Sequence, residues 1–169
     1  RMALALFDAM VASRNLDLAA RYLRKEGPGV YTIGSAGHES NAAIAAALRP
    51  TDPALLHYRS GGFYCARAQQ VPGSTPIRDI LLGLVAAADE PISGGRHKVF
   101  GNHALAVIPQ TSTIASHLPR AMGVGFAIER AQRIGVSAAW PADAIVVCSF
   151  GDASLNHSTA LGALNAAEY

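Results

Sequence analysis

The sequence is poor in the features that build nucleic-acid, membrane or disulfide-framework proteins. Only 15% of its 169 residues are charged, and the formal net charge is +2. No Lys/Arg cluster concentrates that small excess, so an electrostatic nucleic-acid surface is excluded. No apolar run reaches the ~20 residues of a membrane-spanning helix. The opening "RMALALFDAMVASR" is interrupted by Asp8 and lacks a small-residue cleavage site, so it reads as an amphipathic helix and not a secretory signal. The 2 cysteines, Cys65 and Cys148, do not form a Cys-x-x-Cys pair. They predict two reduced thiols in a cytoplasmic protein. The common catalytic signatures are missing too: no P-loop, no His-Glu-x-x-His zinc motif, no nucleophile elbow. Gly123-Val124-Gly125 lies in a helical stretch with no strand before it, which excludes a dinucleotide fingerprint.

What is present is apolar and small. Half the residues are hydrophobic, enough for one domain with a core of its own. The pattern predicts a helix from Met2 to about Glu26, ended by Gly27-Pro28-Gly29. A short extended piece follows from Val30 to Ile33, then Gly34-Ser35-Ala36-Gly37 and a second helix from His38 to Leu48. Ala54–Tyr58 reads as a strand and Arg59 to about Gln69 as a helix whose start Gly61-Gly62 weakens. Pro76 is placed to open a helix running to Ala88. Asp89 to Gln110 shows no period, and a loop of that length is commonly functional. A long helix is predicted over Thr113–Ile134, a buried strand over Ala144–Phe150 and a last helix from His157 to Tyr169. The chain opens on Arg1 and stops inside that helical pattern, which predicts a piece of a longer polypeptide.

Helices alternating with short apolar strands predict an α/β fold: a parallel sheet covered by helices on both faces. Ligands in such sheets sit at the carboxyl ends of strands. Tyr58-Arg59 and Gly151-Asp152 fall there. An arginine at that place can fork two donors onto a phosphate, or make an ordinary surface ion pair. Thr111-Ser112-Thr113 can cap a helix or present its amides to an anion. Asp152 suits a turn, or a small hard cation such as Mg²⁺, which takes one or two carboxylates and phosphate oxygens. His117 reads as a structural residue on a helix face. His97 and His103 lie in the long loop.

In order along the chain, "GSAGHESNAAIAAALRPTD", "LLHYRSGGFY", "SGGRHKVFGN", "PQTSTIASHLPRAMGVGFA" and "VVCSFGDASLNHSTALGALNAA" resemble the alpha-type segment of thiamine-diphosphate-dependent 2-oxoacid dehydrogenases. These are the decarboxylating components of pyruvate and branched-chain complexes. The wording "GDASLNH" is similar to a subgroup with fused alpha-like and beta-like parts. The resemblance implies a partial thiamine-diphosphate-binding fold, with residues 1–169 forming the diphosphate-side domain up to a truncation at Tyr169. It implies thiamine diphosphate and Mg²⁺ as cofactors. Tyr58 and Arg59 would hold the diphosphate, and Ser112 and Ile114 would face the aminopyrimidine. Gly151, Asp152, Ala153 and Ser154 would open the cofactor motif, with Asp152 a Mg²⁺ ligand. His97 is the loop's candidate catalytic residue.

The implied reaction is oxidative decarboxylation of a 2-oxo acid with acyl transfer to a lipoyl group. The implied partners are the beta-like part of the same enzyme, a lipoyl-bearing acyltransferase and oligomeric copies, with no nucleic acid or membrane. The sequence departs from the family at Ala153, where a second glycine is usual, and at His117, where a glutamine is common. Two other readings stay open: a transketolase-like enzyme, and a non-catalytic α/β module that has lost its cofactor.

Overall fold

The computed structural model describes residues 1–30 and 34–168. The expected extended piece after Val30 falls mostly outside them, as does Tyr169. Helix α1 spans Met2–Glu26 and buries Ala9, Ser13, Leu16, Asp17 and Ala20, which share one face at helical spacing. Gly27 ends it with a φ of 104°, which only glycine adopts without strain. The Gly34–Gly37 loop is pinned to this helix. Asp17 is buried, and its two carboxylate oxygens accept the Ser35 N–H at 2.9 Å each. The Ser13 and Ser35 hydroxyls pair beside it.

The second expected helix divides into a 3-10 turn over Glu39–Asn41 and α2 over Ala42–Ala47. Helix α3 spans Gly61–Gln69, so the glycine pair opens the helix instead of weakening its start. A Cβ on Gly61 would collide with the Ser13 hydroxyl, and one on Gly62 with the Glu39 carbonyl. The pair lets α3 pack against α1 and the 3-10 turn at backbone distance. Helix α4 covers Pro76–Leu84 with proline in its first turn, as expected, but stops before Ala88. Its end coincides with Ala86, which takes a left-handed φ of 52°.

Strands β1 (Ala54–Leu55) and β2 (Val147–Cys148) pair in parallel, with Ala54 opposite Val147 and Leu55 opposite Cys148. Both are shorter than expected, but the α/β reading holds. Asp52 fixes their alignment from within the chain. Its Oδ1 accepts the Ile145 N–H at 3.0 Å, and its Oδ2 accepts the Arg49 N–H at 2.8 Å. Arg49 reaches on to Asp143 at 2.9 Å. On the other side of β1, the Ala54 N–H donates to Ala106 and the Ala54 carbonyl accepts from Ile108, each at 2.9 Å. The loop without a period thus supplies a parallel bridge through Val107. Arg67 of α3, fully buried, donates to the carbonyls of Asp52 and Leu105 at 3.0 and 3.1 Å. It ties the start of β1 and the bridging loop to the helix layer.

Side chains alternate across the strands. Ala54, Leu56 and Val147 face a core built from α1, α2 and α3. Cys148 and Phe150 face a second core of Ala115, Leu118, Ala160 and Ala163. That core lies between α5 (Leu118–Ile134) and α6 (Ser158–Glu168). Helices therefore cover both faces of the sheet. The expectation of a fully buried strand over Ala144–Phe150 is corrected: Val147 and Cys148 are half-buried. β2 is the edge of the sheet among the described residues, and the second core is thin.

The largest correction concerns α5, which starts at Leu118 and not at Thr113. Pro119 lacks an N–H and belongs in a first turn, so it sets the helix start. Ala115 before it is left-handed with a φ of 62°, which a helix interior forbids.

Candidate active site

The carboxyl ends of β1 and β2 lie side by side, and three short segments converge there. The first is His57-Tyr58-Arg59. It forms a turn beyond β1 and not the strand's own end, since the strand stops at Leu55. The second is the loop from Gln110 to His117, held in an irregular path by the left-handed Ala115. The third begins at Gly151, where β2 gives way to a 3-10 turn over Asp152–Asn156.

A narrow cleft opens between them, and its walls include Tyr58, Ser112, Ile114 and the buried Ser154. Four expected site residues are thus brought together from chain positions far apart. Ile114 is 54% exposed, free to support a ligand laid against it. His97 is drawn in from the long loop: its Nε2 lies 3.1 Å from the Ser112 hydroxyl. His97 and Tyr58 also share the wall of a larger cavity against α1 and α4.

Arg59, Gly151, Asp152 and Ala153 do not line the narrow cleft. The Arg59 guanidinium lies 5.5 Å from the Tyr58 ring centre and donates to the Gly34 carbonyl at 2.8 Å. Asp152 is exposed at the first position of the 3-10 turn. Among the described residues no three carboxylate, histidine or thiol groups cluster to form a complete metal cage. One exposed carboxylate instead suits a Mg²⁺ ion whose remaining ligands are phosphate oxygens and water. Among the described residues the non-glycine positions with left-handed φ are Ala86, Ala106 and Ala115. Ala153 therefore replaces the family's usual glycine without backbone strain.

Five residues given no site role by the sequence reading stand at this place. His57 is half-buried between its neighbours, with its ring 3.9 Å from that of Tyr58. Burial, reinforced by the nearby His38, Arg59 and His117, pushes its pKa down to about 4, so the ring is neutral at physiological pH. His117, expected on a helix face, caps the start of α5 and is buried. Its Nε2–H donates to the Ser149 carbonyl at 2.8 Å, and burial lowers its pKa. The Ser149 and Ser60 hydroxyls pair at 3.0 Å, linking β2 to the turn that carries Tyr58 and Arg59. Gln110 donates to the Leu56 carbonyl. His117 Nδ1 and Gln110 Oε1 are buried acceptors without a protein partner, both in residues on the cleft wall. Unpaired buried acceptors favour a bound donor.

Cysteine chemistry plays no part. Both cysteines are free, and burial pushes each thiol up to about 11, far from a reactive thiolate.

A family model described as the dehydrogenase E1 component matches residues 8–169. The chain belongs to the dehydrogenase E1 component family. E1 components are thiamine-diphosphate-dependent parts of 2-oxoacid dehydrogenases and work with other subunits in larger complexes. No curated protein matches the chain. No helix among the described residues is long and apolar enough to cross a membrane.

Proposed function

We propose that this E1 segment holds the diphosphate end of thiamine diphosphate through Mg²⁺, for oxidative decarboxylation of a 2-oxo acid and acyl transfer to a lipoyl group. The observation that carries the reading is the meeting of Tyr58, Ser112, Ile114 and Ser154 around one cleft at the strand ends, with Asp152 exposed beside it. The protein residues fit the group. Asp152 would supply the carboxylate for Mg²⁺, and Tyr58 and Arg59 the donors for the diphosphate. Ile114 would give an apolar support, and Ser112 a polar contact beside it. When bound, the cofactor supplies the carbanion and electron-sink chemistry.

In this reading the chain's own residues bind and orient the cofactor. His117 and Ser149 hold the Ser112–Ile114 loop against β2, and Ser60 holds the Tyr58–Arg59 turn to the same strand. Arg59 would leave the Gly34 carbonyl for phosphate, exchanging a neutral acceptor for a charged one, which makes the stronger hydrogen bond. His97, hydrogen-bonded to Ser112, stands where it can steer or exchange a proton with a substrate at the cleft.

Residues 1–169 form one diphosphate-side domain in this reading, and a beta-like part, in the same chain or another, completes the site. Exposed Phe126, Leu161 and Leu164 on α5 and α6 support such a partner. A cytoplasmic location and a lipoyl-bearing acyltransferase as acceptor follow from the same reading. The test is a decarboxylation screen of pyruvate and branched-chain 2-oxo acids with a lipoyl-domain acceptor, using the full-length protein with its beta-like part. Acyl-lipoyl product that requires thiamine diphosphate and Mg²⁺ supports the reading. Ketol transfer between sugar phosphates without lipoyl product would replace it with a transketolase-like one.

A further inference from the structure

We propose that His57 is a third diphosphate-holding residue, a neutral imidazole whose Nε2–H donates to the anion between Tyr58-Arg59 and Gly151-Asp152. The inference rests on the thiamine-diphosphate reading above.

The geometry fixes which nitrogen carries the proton. The Arg59 backbone N–H donates to His57 Nδ1 at 3.4 Å. A ring nitrogen that accepts carries no hydrogen, so in the neutral ring the proton sits on Nε2. The ring's direction is also set, by its contact with Tyr58 at 3.9 Å between centres and 36° between planes. That direction brings Nε2 to the start of the turn that carries Asp152. A Cβ built on Gly151 would lie 3.5 Å from His57 Nε2 and 3.9 Å from Cε1. Gly151 has an ordinary extended backbone, φ −79° and ψ 151°, so no left-handed turn requires a glycine there. A side chain there would stand in van der Waals contact with Nε2, and glycine leaves that contact unfilled; His57 also lines the cleft together with Ser112 and Ser154.

A donor in that position suits a phosphate oxygen better than a metal. The Nε2–H cannot ligate a cation, whereas a diphosphate held by Arg59 on one side and metal-bound Asp152 on the other would have oxygens between them. Three donors from three consecutive residues, His57, Tyr58 and Arg59, would then grip one anion from a single turn. The side chain acts on binding, so it is a positioning residue and not an acid or base.

The test compares His57→Phe, which keeps a flat ring against Tyr58 but has no N–H, with His57→Gln, whose amide places a donor near the Nε2 position. Thiamine diphosphate affinity is measured by calorimetry with saturating Mg²⁺ on the full-length protein, alongside thermal melting of each cofactor-free variant. We expect His57→Phe to lose about 10-fold or more in affinity, the effect of one charge-assisted hydrogen bond, and His57→Gln to stay within about 3-fold. In parallel, ¹⁵N-labelled histidine in the wild type should show the His57 Nε2–H resonance moving on cofactor addition while Nδ1 stays unprotonated. Wild-type affinity in His57→Phe, equal losses in both variants, or an unmoved Nε2–H resonance each overturns the proposal. Failure of the wild type to bind removes the thiamine-diphosphate reading itself, a separate result.

Discussion

On the α1–α3 side of the sheet, Leu56, Phe63, Tyr64 and Leu105 are at most 2% exposed, and a buried Arg67 ties the layers together. On the α5–α6 side the core is Ala115, Leu118, Ala160 and Ala163, while Phe126 and Leu161 are 63% and 57% exposed. The first side buries large side chains through backbone-close helix contacts, although the outer face of α1 still exposes Phe7 and Tyr22. The second stops short and leaves its larger apolar groups in water. Tyr58 and Arg59 come from the first side, Asp152 and Ser154 from the second, and the cleft lies on the seam. In the proposed reading the difference separates two tasks: one side supplies a stable platform, and the other would offer surface to a completing partner.

Substitutions on the two sides should have different effects. The largest effect is expected from Arg67→Ala, which removes a buried side chain and leaves the Asp52 and Leu105 carbonyls unpaired. We expect a loss of about 3–5 kcal/mol, read by urea denaturation, together with loss of the β1–β2 alignment. Gly62→Ala forces a methyl against the Glu39 carbonyl, and about 1–3 kcal/mol of destabilisation is expected from thermal melting. A helix-favouring effect of alanine that outweighed the clash would show that α3 is looser than described.

The pH dependence tests the seam. His57 has its pKa lowered from 6.5 to about 4 in the folded protein. The unfolded chain therefore binds the extra proton first as pH falls. The stability this residue contributes is complete above about pH 6.5 and declines as pH falls toward 4. In denaturation midpoints the wild type should lose stability relative to His57→Gln as pH falls through that window, because only the histidine is penalised on protonation. Last, Phe126→Ser on α5 should change stability by less than about 0.5 kcal/mol, because the ring is already exposed. It should instead weaken association with the beta-like part, measured by sedimentation. A large loss of stability there would contradict the contrast between the two sides.

Much of this was legible from residue order. The helix over Met2–Glu26, the proline-led start of α4 and the parallel α/β class follow from period and punctuation. Tyr58, Ser112, Ile114 and Ser154 were placed by motif, and the structure puts them around one cleft. Other features were hidden for physical reasons. The start of α5 was misread because small residues at 113–117 look helical, although Pro119 marks the true first turn. Gly61-Gly62 reads as a helix breaker until the Ser13 hydroxyl and the Glu39 carbonyl are seen pressed against it. The bridge through Val107 depends on a pairing between residues far apart in sequence, which local pattern does not encode. His57 has no role legible from its motif alone, since only the contact with the Arg59 N–H shows which ring nitrogen carries the proton.

The central claim is that the seam binds a Mg²⁺-bridged diphosphate through Asp152. The most direct measurement is calorimetric titration of thiamine diphosphate, with and without Mg²⁺, into the full-length protein and its Asp152→Ala variant. The account predicts Mg²⁺-dependent binding by the wild type and a loss in the variant beyond the ~10–100-fold that an outer-shell partner costs. Unchanged, Mg²⁺-dependent binding by a folded Asp152→Ala variant, or no binding by the folded wild type, would contradict it.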